Sequence, residues 1–133
     1  MPTDMPFPKE TDTLQEAEQE VLMVTLPDTE AQVIVHCMYY PGYYESKIRI
    51  WQSTYLLDRH SGHRSPLLHA EHIAVYPNWT DVPVSQPYRF TLVFAGLPKS
   101  CVLFDLIEDI PHMGGFEVLY IRRNSSDIYQ VEV

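Results

Sequence analysis

Four histidines come closest to a recognisable chemistry. "HSGH" and "HAEH" set His60, His63, His69 and His72 as two pairs, each at three-residue spacing, on the two sides of one expected hairpin. Imidazole is the commonest neutral zinc ligand, and Glu71 or Asp58 would complete a tetrahedral shell. Residues three apart on an extended strand point to opposite faces, so each pair converges only through a turn. "HSGH" offers such a turn and "HAEH" does not. A polar hairpin whose histidines titrate in water is therefore the leading reading, with a metal-binding protein or metal-dependent hydrolase as the alternative.

Three carboxylates, Asp105, Glu108 and Asp109, close the stretch "YRFTLVFAGLPKSCVLFDLIED". A catalytic pair needs two carboxyls at a set distance in a cleft, with environments that split their pKa values. No cleft is implied here, so Asp105 mid-strand and Glu108 and Asp109 at the strand's end are expected as solvated charges paired with arginines, near Lys99, Arg122 and Arg123. Cys37, Trp51 and Cys101 follow the order Cys, Trp, Cys of immunoglobulin domains, but Lys99 stands where the corner tyrosine should be. Buried free thiols are expected, with a disulfide as the alternative. His36 adjoins Cys37 but faces the other side of the strand, which excludes a Cys–His nucleophile. Tyr39, Tyr40, Tyr43 and Tyr44 flank the "YPGYY" turn, and Trp79 sits in a Pro-rich loop. Rings near solvent anchor partners and stack on sugars, so Tyr40, Tyr43, Tyr44 and Trp79 are the candidate binding residues.

The elements that must hold these residues repeat with period two. "AQVIVHCMYY" puts Val33, Val35, Cys37 and Tyr39 on one face and Ile34, His36, Met38 and Tyr40 on the other, both largely covered. "KIRIWQSTYLLD" sets Ile48, Ile50, Gln52, Thr54 and Leu56 against Lys47, Arg49, Trp51, Ser53 and Tyr55. A tip at "RHSG" returns the chain through "HRSPLLHAEHI". "YPNWTDVPVSQP" has three prolines and reads as a long irregular connection. Strands resume at "YRFTLVFA", "CVLFDLI", "FEVLYIRR" and "IYQVEV". The expected core holds Val33, Val35, Ile48, Ile50, Phe90, Leu92, Phe94, Val102, Phe104 and Leu106. About eight short strands without helical crossovers predict an all-β fold, an antiparallel two-sheet β-sandwich, loosely immunoglobulin-like, with a closed β-barrel as the alternative.

With 133 residues the chain suits one domain, placed at 19–133, behind an acidic, Pro-containing flexible tail at 1–18. "VLMVTL" favours strand from about Glu20. The net charge of -9 is concentrated at the front: residues 1–30 hold eight Asp/Glu and one Lys, and the remainder is close to neutral. An acidic chain with no basic stripe excludes nucleic acid as a partner. No apolar run is long enough for a membrane-spanning helix. "MPTDMPFPKETD" lacks the basic and apolar parts of a secretory signal, so the chain stays inside the cell or its export signal has been removed. No Gly-rich phosphate loop, Gly-x-Ser-x-Gly elbow or Cys-x-x-Cys occurs, and no cofactor is called for.

Taken in order, "YYPGYY", "IWQSTYLLD", "AEHIAVYP", "RFTLVFAGLPKSCVLFDLIED" and "GFEVLYIRR" resemble uncharacterised β-sandwich modules of exported Bacteroidetes proteins, over about residues 33–122. That resemblance implies an accessory domain with no catalytic residues to carry over, exported or attached to the cell envelope. The expected function is accordingly non-catalytic: an accessory or interaction domain, monomeric or weakly self-associating, that binds a protein or glycan through Tyr-rich loops. A small-ligand carrier is a third possibility if the sheet closes around a cavity.

Overall fold

A computed structural model describes residues 31–44 and 46–133. The expected tail at 1–18, the strand from Glu20 and the domain start at 19 lie outside the described residues.

The described chain is all-β. Its strands are β1 (Val33–Tyr39), β2 (Ser46–Ile48), β3 (Tyr55–Asp58), β4 (Arg64–Glu71), β5 (Thr80–Val82), β6 (Tyr88–Phe94), β7 (Leu103–Ile107), β8 (Glu117–Arg122) and β9 (Ile128–Glu132). Seven of them form one mixed sheet in the order β8-β7-β3-β4-β6-β1-β9, nearly closed into a barrel, and β2 pairs with β5 in a separate two-stranded ribbon. The expectation of antiparallel pairing throughout is corrected by β9, which runs parallel to β1, Ile34 beside Ile128 and Met38 beside Glu132. The sheet curls instead of splitting into two clear layers because its two edge strands are consecutive in the chain and a short turn ties them together.

Alternation of β-branched and aromatic residues decides what lies inside. Val33, Val35 and Cys37 of β1 face inward beside Phe90, Leu92 and Phe94 of β6, at most 2% exposed, with Val33 opposite Phe94 and Val35 opposite Leu92. The outer face of β1 is only partly covered: His36 and Tyr40 are exposed. Phe104 and Leu106 of β7 and Leu56 of β3 fill the centre, and Phe104 meets the Tyr129 ring edge-on at 5.1 Å. Phe90, Phe94, Phe104, Leu56, Leu92 and Leu106 are the large side chains packed into that interior, each at most 1% exposed.

The parity expected for Val102 fails: it is 63% exposed, and Cys101 points inward instead. A turn in which the Cys101 N–H donates to Pro98 O reorients the chain just before β7, so the alternation seen at Phe104 and Leu106 does not extend back to Val102. Arg123 fixes that turn. It donates to Pro98 O and Cys101 O and holds Asp127 through Nε and Nη2, at 2.6 and 3.0 Å, coupling the β6–β7 connection to the turn between β8 and β9.

Two other expectations change. "KIRIWQSTYLLD" is two strands, because the Thr54 N–H and hydroxyl both donate to Trp51 O and bend the chain at Trp51–Thr54, leaving Gln52 exposed. "YPNWTDVPVSQP" is not wholly irregular, since Thr80–Val82 forms β5 and pairs with β2, Ile48 beside Thr80 and Ser46 beside Val82.

Candidate functional site

Arg49 and Trp51 leave β2 two residues apart, on one side of extended backbone. The segment after β4 is held beside them: the Ile50 N–H donates to Ala74 O and the Tyr76 N–H to Ile50 O, both at 2.9 Å. Those bonds lay the Tyr76 ring on Trp51, centroids 4.0 Å apart and planes 29° apart. Two further bonds, Asn78 N–H to Val75 O and Ala74 N–H to the Thr80 hydroxyl, fold the loop so that Trp79 returns over Arg49. The Arg49 guanidinium carbon lies 3.7 Å from the Trp79 centroid and 4.5 Å from that of Tyr76, and its Nη1 donates to Pro77 O. A cation sits against two ring faces, with Tyr76 and Trp79 about half exposed.

Glu108 braces this cluster from beneath. It is 8% exposed, and its two carboxylate oxygens accept the N–H groups of Trp51 and Phe116 at 3.1 and 2.9 Å. The Glu108 N–H in turn donates to Phe116 O, closing the loop between β7 and β8 at its base. Burial raises the Glu108 pKa, and the two amides and the Arg49 charge oppose that rise without cancelling it. The closed loop carries His112 to the edge of Trp51 at 6.2 Å. Between these parts lies a cleft of about 220 Å³, lined by Lys47, Arg49, Trp51, Trp79, His112 and Met113 among others.

The structure does not bring the four candidate binding residues together. Trp79 belongs to the cluster. Tyr43 and Tyr44, each 86% exposed, sit beyond the opposite end of the β2–β5 ribbon. Tyr40 lines a different cleft of about 350 Å³, with His36, His72, Arg89 and Glu132, on the outer face of β1, β6 and β9.

Nor do the histidines converge. His60 and His63 are both at the tip between β3 and β4, whereas His69 stands about 20 Å along β4 from His63 at 3.3 Å per residue, with His72 just past the strand's end. His69 Nε2 lies 3.3 Å from Glu71 Oε2. Asp58 is 1% exposed, and its carboxylate is occupied by the His60 N–H and the Ser61 hydroxyl. Among the described residues no group of three or more His, Cys, Asp or Glu side chains is placed to hold a metal ion.

The acids expected as solvated charges are corrected as well: Asp105 and Glu108 are buried. Asp105 faces a bulge where β8 gains a residue against β7, and Tyr120 takes φ 60° there. Its carboxylate accepts the Tyr120 N–H at 2.8 Å and pairs with Arg59, supplying the bond that the bulge takes from the ladder. Cys37 and Cys101 are buried free thiols. Burial pushes them up to about 12 and about 11, and the Asp58 charge adds to the rise at Cys101. Thiols so placed stay protonated at neutral pH.

Sequence reasoning found Trp79 and missed Arg49, Trp51, Tyr76, His112 and Glu108. The available signal was the spacing "R-x-W" on one strand face.

No family model matches the chain, and no curated protein or solved structure matches it. No helix among the described residues is long and apolar enough to cross a membrane.

Proposed function

We propose that the chain is a non-catalytic binding domain whose partner, a protein or a glycan, docks on the Arg49–Trp51–Tyr76–Trp79 cluster. The observation that carries this reading is a guanidinium ordered against two half-exposed rings beside a small cleft. Trp, Tyr and Arg are the residues that dominate binding energies, and ordering them before contact lowers the entropy lost on binding. Glu108 adds to that order by fixing the backbone beneath Trp51. The buried acids and thiols have structural explanations, so none of them calls for a reaction. In keeping with the modules it resembles, the domain serves as an accessory part of an exported or envelope-attached assembly, as a monomer or a weak homo-oligomer.

The test is a screen of immobilised glycans and peptides with the wild type, Trp79→Ala and a Tyr43→Ala/Tyr44→Ala double variant. Retention that is lost in Trp79→Ala and kept in the double variant supports the cluster as the docking surface. Retention lost only in the double variant moves the site to the opposite end of the ribbon. No retention from either collection would remove the binding reading.

A further inference from the structure

Resting on that reading, we infer that the cleft takes an acidic sugar, a pyranose ring carrying a carboxylate. Its size comes first. About 220 Å³ is below the roughly 300–1,000 Å³ of sites for drug-sized ligands, so the cleft suits one ring with the rest of a chain left outside. Its wall comes second. Trp79 is 52% exposed, with Arg49 stacked on it. The C–H face of a pyranose is apolar and flat, and the indole face opposite Arg49 would cover it while the sugar's hydroxyls stay wet.

Charge decides the rest. Lys47 and Arg49 line the cleft with His112, and the acid lining it, Glu108, has both oxygens committed to the Trp51 and Phe116 N–H groups. The ion pair between Lys47 and Asp81 is long, 3.9 Å, and its side chains are 63% and 86% exposed, so Lys47 can swing to another anion at little cost. A guanidinium has five N–H donors in one plane. Stacking fixes that plane, and Arg49 gives one donor to Pro77 O, which leaves a fork suited to a carboxylate. Residues 31–133 are close to neutral, and two cations collected in one cleft match an anion. An acidic peptide would offer the same charge. It has no flat saturated ring for Trp79 to cover.

The experiment is a tryptophan-fluorescence titration of the whole chain with an oligogalacturonate, its methyl ester and a Glu-rich peptide. The expected result is saturable binding of the oligogalacturonate, weakened at least about tenfold by esterification and by Arg49→Met, as loss of a charge-assisted bond requires. Lys47→Gln should weaken it a few-fold, and Trp79→Ala should abolish it with an unchanged circular dichroism spectrum. Equal binding of the ester, or tighter binding of the peptide, would overturn the acidic-sugar inference and leave the binding domain standing. Failure of the oligogalacturonate while other glycans or peptides are retained would do the same. Failure of every probe together with an empty glycan and peptide screen would remove both.

Discussion

Replacing Glu108 by alanine tests the brace under the candidate site. Its two oxygens take the N–H groups of Trp51 and Phe116 in a place only 8% exposed. Each buried donor left without a partner costs about 1–3 kcal/mol, so Glu108→Ala should destabilise by about 2–6 kcal/mol. At a urea m-value of about 2 kcal/mol/M, the midpoint falls by roughly 1–3 M. Glu108→Gln keeps one acceptor and removes the buried charge, and should fall between the wild type and Glu108→Ala. The pH dependence carries a separate sign. Burial raises the folded-state pKa above the ordinary value, so the native state binds the extra proton, and this group's contribution declines as pH rises through the interval between the two values. Glu108→Gln should flatten that decline. Urea unfolding followed by tryptophan fluorescence reads both effects, since Trp51 sits on the brace. A loss within about 0.5 kcal/mol for Glu108→Ala, the scale of ordinary surface substitutions, would refute the reasoning.

Other outcomes follow from neighbouring features. A Cβ at Gly115 would run into the Glu108 carbonyl oxygen, so Gly115→Ala should cost about 1–3 kcal/mol in urea unfolding and disturb the His112 loop. Burial alone would raise Asp58, but the hydrogen bonds led by those from the Ser61 hydroxyl and the His60 N–H outweigh it and leave its pKa lowered. Stability from Asp58 is therefore present above its unfolded-state value, about 3.9, and lost as pH falls through the folded one; Asp58→Asn should show a shallower acid-side loss in melting temperature. Phe104→Ala should cost about 3–5 kcal/mol by chemical denaturation, because Phe104 is wholly buried. Val102→Ser, at an exposed position, should stay within about 0.5 kcal/mol; equal losses at the two sites would restore the parity that the Pro98–Cys101 turn breaks.

Alternation made much of the fold legible. Alternation places Val33, Val35, Phe90, Leu92 and Phe94 in the core, and the structure buries all five. Where a turn resets the count the pattern misleads: Val102 follows the Pro98–Cys101 turn and Gln52 lies within the Trp51–Thr54 bend, which only hydrogen bonds to the backbone reveal. The parallel place of β9 beside β1 depends on how the whole sheet curls, which no local pattern encodes. At the site, alternation puts Arg49 and Trp51 on one side of the backbone, and the two side chains do lie near each other just past the end of β2. Their meeting with Tyr76 and Trp79 depends on the Ile50–Ala74 and Tyr76–Ile50 bonds, a tertiary event between distant segments. Asp105 and Glu108 looked like solvated acids because the amides they serve, at a bulge and at a loop base, are invisible until the backbone is placed.

The chain contains two tryptophans, so the amide correlation spectrum carries two indole N–H signals, from Trp51 and Trp79. Following them while a retained glycan or peptide is added tests the docking surface most directly. The expected result is that the Trp79 signal moves in proportion to saturation, with Trp51 following, and that Trp79→Ala abolishes binding. Saturation that leaves both indoles unmoved while shifting resonances of Tyr43 and Tyr44 would contradict the assignment of the site.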